Sequence, residues 1–309
     1  MSTLIHPRLH AWRADDRRGA RARRGRPLEL GLVVIAFGLA AVALLGPLGT
    51  GVIEYRVTET LRNQLIGLDA VSLFLVAPLA LVAARLVSRQ RRLGPVLALG
   101  IGAYTSYMFL QYILGPDYGR ITGNNQRLFP LCALLFAAGW LVALTAWRTV
   151  DTEGLRSRHR DRLSGRVVLP LLALLAFARY VPSLADWMST RPTDTGYLAG
   201  PAFAWTIATL DLGIFLPVTV LTCIGLIRGT AWARKALYLV IGWFGLVGPA
   251  VAAMAIAMYA NNDPNASGGN TGFMTALGLA FAALAWTMFR PLLRDRESAA
   301  PAPNELRHS

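Results

Sequence analysis

The sequence predicts an all-α fold, a polytopic transmembrane helical bundle of about eight spans, and three observations predict it. Of 309 residues, 54% are hydrophobic and 16% charged. Soluble domains carry about 25% charged residues, so this chain has too little polar surface to cover a water-exposed globule. The apolar residues collect in eight stretches, each near the roughly 20 residues a helix needs to cross a hydrocarbon core about 30 Å thick. Finally, the basic residues crowd into every second gap between those stretches.

The stretches run Leu30–Leu48, Ile66–Ala84, Leu93–Leu114, Leu128–Trp147, Val167–Leu184, Pro201–Ile227, Ala236–Tyr259 and Gly272–Phe289. Polar or helix-breaking clusters separate them, such as Arg89–Gln90–Arg91–Arg92, Gly123–Asn124–Asn125 and Asn261–Asn262–Asp263–Pro264. The runs are continuously apolar rather than alternating and are twice the length of a membrane strand, which excludes a β-barrel. No gap holds a separate soluble domain. The expected organisation is a basic, mobile cytoplasmic tail over 1–28, an eight-helix membrane domain over 29–290, and a cytoplasmic tail over 291–309. The first span lacks a small-residue cleavage site, so it reads as a retained anchor.

Twenty-five of the 31 basic residues fall in the tails and in alternate gaps, five fall in the opposite gaps, and Arg179 alone lies within a span. Basic residues mark the cytoplasmic side of short loops, so both termini are expected in the cytoplasm and the chain in the cell membrane. The net charge of +14 is thereby explained without nucleic acid, since no DNA- or RNA-binding pattern organises it. The partner it implies is the bilayer itself, with anionic lipid at the cytoplasmic face.

In the first external segment Ile53, Val57, Leu61 and Leu65 recur every four residues, as in a short helix lying at the interface or a helical extension of the second span. Pro78 and Pro217 fall mid-span, Gly248–Pro249 interrupts the seventh span, and Gly242, Gly245 and Gly248 recur at close spacing. Small residues of this kind pack helices together, and broken helices also mark transport paths. The second and sixth spans resemble each other. Leu68–Asp69 precedes Phe74, Pro78 and Arg85 in one, and Leu210–Asp211 precedes Phe215, Pro217 and Arg228 in the other. Two four-helix halves related by an axis along the membrane normal are the expectation.

An ionisable group inside a span costs about 2.5–3.5 kcal/mol at the helix centre and calls for a reason. Asp69, Arg179 and Asp211 all sit in the outer half, roughly 8, 10 and 15 Å deep at 1.5 Å per residue. Tyr104, Tyr107 and Gln111 line one face of the third span with Tyr112 beside them, and Asn125 leads into the fourth. These residues define a candidate ligand site, a polar cavity open to the outside with Arg179 paired to Asp211 or Asp69. The competing reading is structural. Asp69 and Arg179 reach the headgroups while the tyrosines form an interfacial belt.

Other chemistry is missing from the sequence. His6, His10, His159 and His308 all lie outside the spans, Cys132 and Cys223 sit at different depths, and no nucleotide or hydrolase motif occurs, so no cofactor, metal or catalytic residue is expected. The Gly67–Leu68–Asp69 stretch through Pro78, then Gly100, Tyr104, Tyr107, Asn125 and Phe129, resembles a family of uncharacterised bacterial multi-pass membrane proteins. Leu210–Asp211–Leu212–Gly213 with Pro217 looks like a second shared feature. The resemblance implies the membrane fold and no particular activity. Two functions follow from the residues: a transporter or binder of a small solute or ion through the outer polar layer, or a sensory or accessory subunit in which that layer only holds helices together. An intramembrane enzyme is the least favoured, because no nucleophile–base set is visible.

Overall fold

The computed structural model describes residues 6–155 and 157–294; residues 295–309 of the expected C-terminal tail lie outside them. Among the described residues the chain is helical, with no strand. Eight helices among these residues are long and apolar enough to cross a bilayer: α1 (spanning Gly25–Leu45), α2 (Glu59–Ser88), α3 (Leu93–Leu114), α4 (Asn125–Thr149), α5 (His159–Trp187), α6 (Pro201–Ile227), α7 (Ala231–Ala260) and α8 (Gly268–Leu293). Large apolar side chains such as Phe37, Phe74, Leu141 and Leu279 are at least 65% exposed, one on each of four helices. Only hydrocarbon solvates such a surface without loss. The chain is a multi-pass integral membrane protein.

Both ends of α3 and of α6 fall where the apolar runs end. The helix of α1 instead starts at His6 and continues unbroken to Leu45, so the basic segment from His6 shares the backbone of the first span. The interfacial helix expected from Ile53 is absent. Helix α2 starts at Glu59, where Thr58 adopts an extended conformation and its side chain accepts from the Leu61 amide, the usual N-cap arrangement. Before it, Ile53, Tyr55 and Val57 are buried while Glu54 is exposed and Arg56 half-buried, the two-residue period of an extended chain. Asn124 and Asn125 donate their amides to the Glu54 carbonyl, and Asp117 donates to that of Arg56. The four-residue repeat of Ile53, Val57, Leu61 and Leu65 therefore joined an extended segment to a helix.

Three helices contain a widened π turn, at Ser72–Val76 in α2, Ser164–Val168 in α5 and Asp211–Phe215 in α6. Each ends two residues before a proline, namely Pro78, Pro170 and Pro217. Proline has no amide to donate and its ring crowds the carbonyl four residues back; a wider turn relieves both problems without breaking the helix.

Helices α3 and α7 form the centre, crossing where Gly100 meets Gly242. A Cβ on Gly100 would lie 2.7 Å from the Gly242 Cα, closer than any side chain tolerates. The packing then repeats from half to half. Helix α1 lies on α2, α2 on α3 and α3 on α4; likewise α5 lies on α6, α6 on α7 and α7 on α8. Across the middle, α2 meets α7 and α3 meets α6. Asp69 and Asp211 are 142 positions apart, as are Gly100 and Gly242. The halves differ at one seam. Helix α1 packs along α4 and closes the first half, whereas among the described residues α5 and α8 are not packed along one another in this way. A cleft of about 230 Å³ occupies the second half at that seam, lined by residues of α5, α6, α7 and α8.

Candidate functional site

Each half holds one carboxylate clamped by two tyrosines, on the turn where its helix begins to widen. In the first half Asp69 is 2% exposed. Tyr112, near the C-terminal end of α3, donates its hydroxyl to Asp69 Oδ1 at 2.5 Å, and Tyr55, from the extended segment, donates to Oδ2 at 3.2 Å. The two rings meet edge to face with centroids 5.6 Å apart. Gly46 makes the room, because a Cβ there would fall 2.5 Å from the Tyr55 hydroxyl. Burial, then the charge of Asp69, pushes the Tyr55 phenol well above its ordinary pKa, so it remains a donor throughout the physiological range. One turn inward, Tyr104 is fully buried and its hydroxyl bonds the Ser72 hydroxyl at 3.2 Å. This pocket is filled by its own side chains.

Asp211, in the second half, accepts at Oδ1 from Tyr107 of α3, in the first half, at 2.8 Å and at Oδ2 from Tyr180 at 2.6 Å. The clamp is the same, but Asp211 is only half-buried and lines the cleft. Tyr107 packs edge-on against Phe215 and Trp243, which stack on each other with centroids 3.7 Å apart. With Phe244 and Phe281 they give the cleft an aromatic wall, and Asp211 and Arg179 are the charged groups on its lining. Each carboxylate oxygen accepts one hydroxyl, leaving lone pairs for a further donor.

The expected pairing of Arg179 with a carboxylate is not found. Among the described residues no acid lies within ion-pair distance of Arg179. Arg179 is exposed, with its guanidinium carbon 5.3 Å from the centroid of the Tyr180 ring. Neighbours on a helix point about 100° apart. Tyr180 takes the inward direction toward Asp211, so Arg179 is turned to the rim. Gln111 is buried and donates from Nε2 to the Tyr107 carbonyl at 3.4 Å, which steadies α3 beside the clamp. Asn125 belongs to neither carboxylate; its Oδ1 accepts from the Arg56 amide at 3.3 Å and ties down the segment between α1 and α2. The structure thus brings Tyr107, Arg179 and Asp211 together around the cleft, puts Asp69 and Tyr104 in the sealed half, and leaves Asn125 at the first turn of α4, away from both carboxylates.

Three groupings escaped the sequence reading. Tyr55 lay in a segment read as helix, although the alternation of Ile53, Tyr55 and Val57 would have revealed its inward direction. Asp263, taken as loop punctuation, accepts from Asn63 at 3.0 Å and from Thr60 at 3.3 Å, joining the start of α2 to the end of α7. Arg234, counted only as a topology charge, donates from Nε to Asp161 at 2.9 Å. No signal short of the fold pairs residues 73 positions apart.

Comparison with protein-family profiles, curated proteins and solved structures returns no match to this chain.

Proposed function

We propose that the protein binds a small solute in the cleft between α5 and α8, with Asp211 as its polar anchor, and serves as a transporter or membrane receptor for that solute. The observation that carries this reading is the contrast between two equivalent clamps. Asp69 is enclosed by Tyr112 and Tyr55, whereas Asp211, held by its own pair Tyr107 and Tyr180, faces an open space. A carboxylate in an apolar cleft asks for a positive or donating group, and the aromatic wall of Trp243, Phe215 and Phe281 suits an apolar or cationic body. The favoured ligand is therefore an organic amine or similar donor with a hydrophobic portion. The arginine distribution supports an orientation with both termini in the cytoplasm, which places Asp211 in the outer half of the cell membrane.

The sealed first half supports a second reading, in which both clamps only join helices in an accessory or sensory subunit. A thermal-shift screen on the purified protein separates the two. Organic amines are expected to raise the melting temperature of the wild type and of Asp69→Asn, and to have no effect on Asp211→Asn. If amines, neutral donors and inorganic cations all leave the wild type unmoved, the accessory reading replaces the first. Modification of residues 148–166 by an impermeant reagent added outside sealed cells would reverse the orientation.

A further inference from the structure

On the arginine-rich face, a second cleft of about 570 Å³ lies where the ends of α2, α3 and α4 meet the start of the first span. Its lining includes Arg91, Arg92 and Arg148, all exposed, with Thr149 beside them. Among the described residues Asp151 is the one acid on the wall, and its Oδ1 accepts from the Glu153 amide at 3.1 Å. Among the described residues no carboxylate lies within ion-pair distance of any of the three guanidinium groups. Three like charges thus share this cavity with a single carboxylate among the described residues, Asp151, and none of them pairs with it.

The backbone holds them there. Helix α2 ends in a Schellman turn: the Gln90 amide donates to the Val87 carbonyl and the Arg91 amide to that of Leu86, with Gln90 at φ +55°. This motif fixes the exit direction of the chain, so Arg91 and Arg92 leave a rigid corner rather than a loose loop. Helix α3 starts immediately afterwards and has no side-chain cap, which adds its positive end to the same face. Val87, Pro95 and Val96 supply an apolar floor.

We infer that this cleft binds a phosphate-bearing anion presented by a membrane lipid. Guanidinium groups match phosphate oxygens in paired hydrogen bonds. The position at the helix ends sets the arginines at headgroup depth, and the apolar floor receives the start of the acyl chains. The inference is independent of the Asp211 reading, since the two clefts share no residue.

The test measures binding of short-chain phosphatidylglycerol, short-chain phosphatidylcholine and inorganic phosphate to the full chain in a neutral detergent. Phosphatidylglycerol is expected to bind at least about tenfold more tightly than either comparator. The paired substitution Arg92→Gln/Arg148→Gln is expected to weaken it by about tenfold or more, and Arg228→Gln, on the same face outside the cleft, to leave it unchanged. Thr149→Glu introduces a carboxylate at an exposed wall position, and it should abolish binding even if the double variant folds poorly. Equal affinity for inorganic phosphate and phosphatidylglycerol would overturn the assignment to a lipid. Equal losses for Arg228→Gln and the cleft variants would show diffuse charge and overturn the site.

Discussion

Removing one hydroxyl from each clamp separates a sealed carboxylate from an accessible one. Tyr112→Phe deletes the 2.5 Å bond to Asp69 and leaves Oδ1 without a donor in a pocket where Asp69 is 2% exposed. A hydrogen bond to a charged group contributes about 1.5–3 kcal/mol, and no water can enter to replace it. The expected loss is about 3 kcal/mol of unfolding free energy. Tyr180→Phe deletes a bond of 2.6 Å to Asp211, equally short. There the freed oxygen faces the cleft, where water can replace the hydroxyl, so the expected loss is about 1 kcal/mol. Reversible unfolding of the purified protein in mixed micelles reads both values. Adding Asp69→Asn to Tyr112→Phe should recover part of the loss, because the stranded charge is gone. If Tyr180→Phe costs as much as Tyr112→Phe, the distinction between the halves fails, and the binding argument with it.

The crossing of α3 and α7 gives a second expectation. In Gly100→Ala the new Cβ would sit 2.7 Å from the Gly242 Cα, so the two central helices must part, with an expected loss of about 2 kcal/mol in the same unfolding assay. A Gly100→Ala protein as stable as wild type would mean that the crossing is loose. The pair between Arg234 and Asp161 gives a third. Asp161 is 6% exposed, so Arg234→Ala strands a buried charge at a cost of about 3 kcal/mol, while Arg234→Met with Asp161→Leu should recover most of it.

The spans were legible because bilayer thickness imposes a length on apolar runs, and α3 and α6 end where those runs end. Asp69 and Asp211 stood out for a related reason, since a charge in hydrocarbon must have a partner. The partners themselves were only partly visible. Tyr107 and Tyr112 share a helix with other polar residues and could be found by period, although nothing local says that one serves Asp211 and the other Asp69. The error over Arg179 came from seeking the opposite charge, when a neutral hydroxyl one residue further along the helix supplies the hydrogen bond without burying a second ion. The seam between α5 and α8 is a property of helix pairs far apart in sequence, and no single span announces it.

The surplus residue in each π turn also bears on how these helices are read by periodicity. A regular helix turns about 100° per residue, so one residue accommodated in a swollen turn slips the phase of everything that follows by about that angle. The faces of α6 above Asp211 and below Pro217 therefore belong to two separate wheels. A single helical wheel drawn through the whole of α6 would place lipid-facing positions in the interior, and the same holds for α2 and α5.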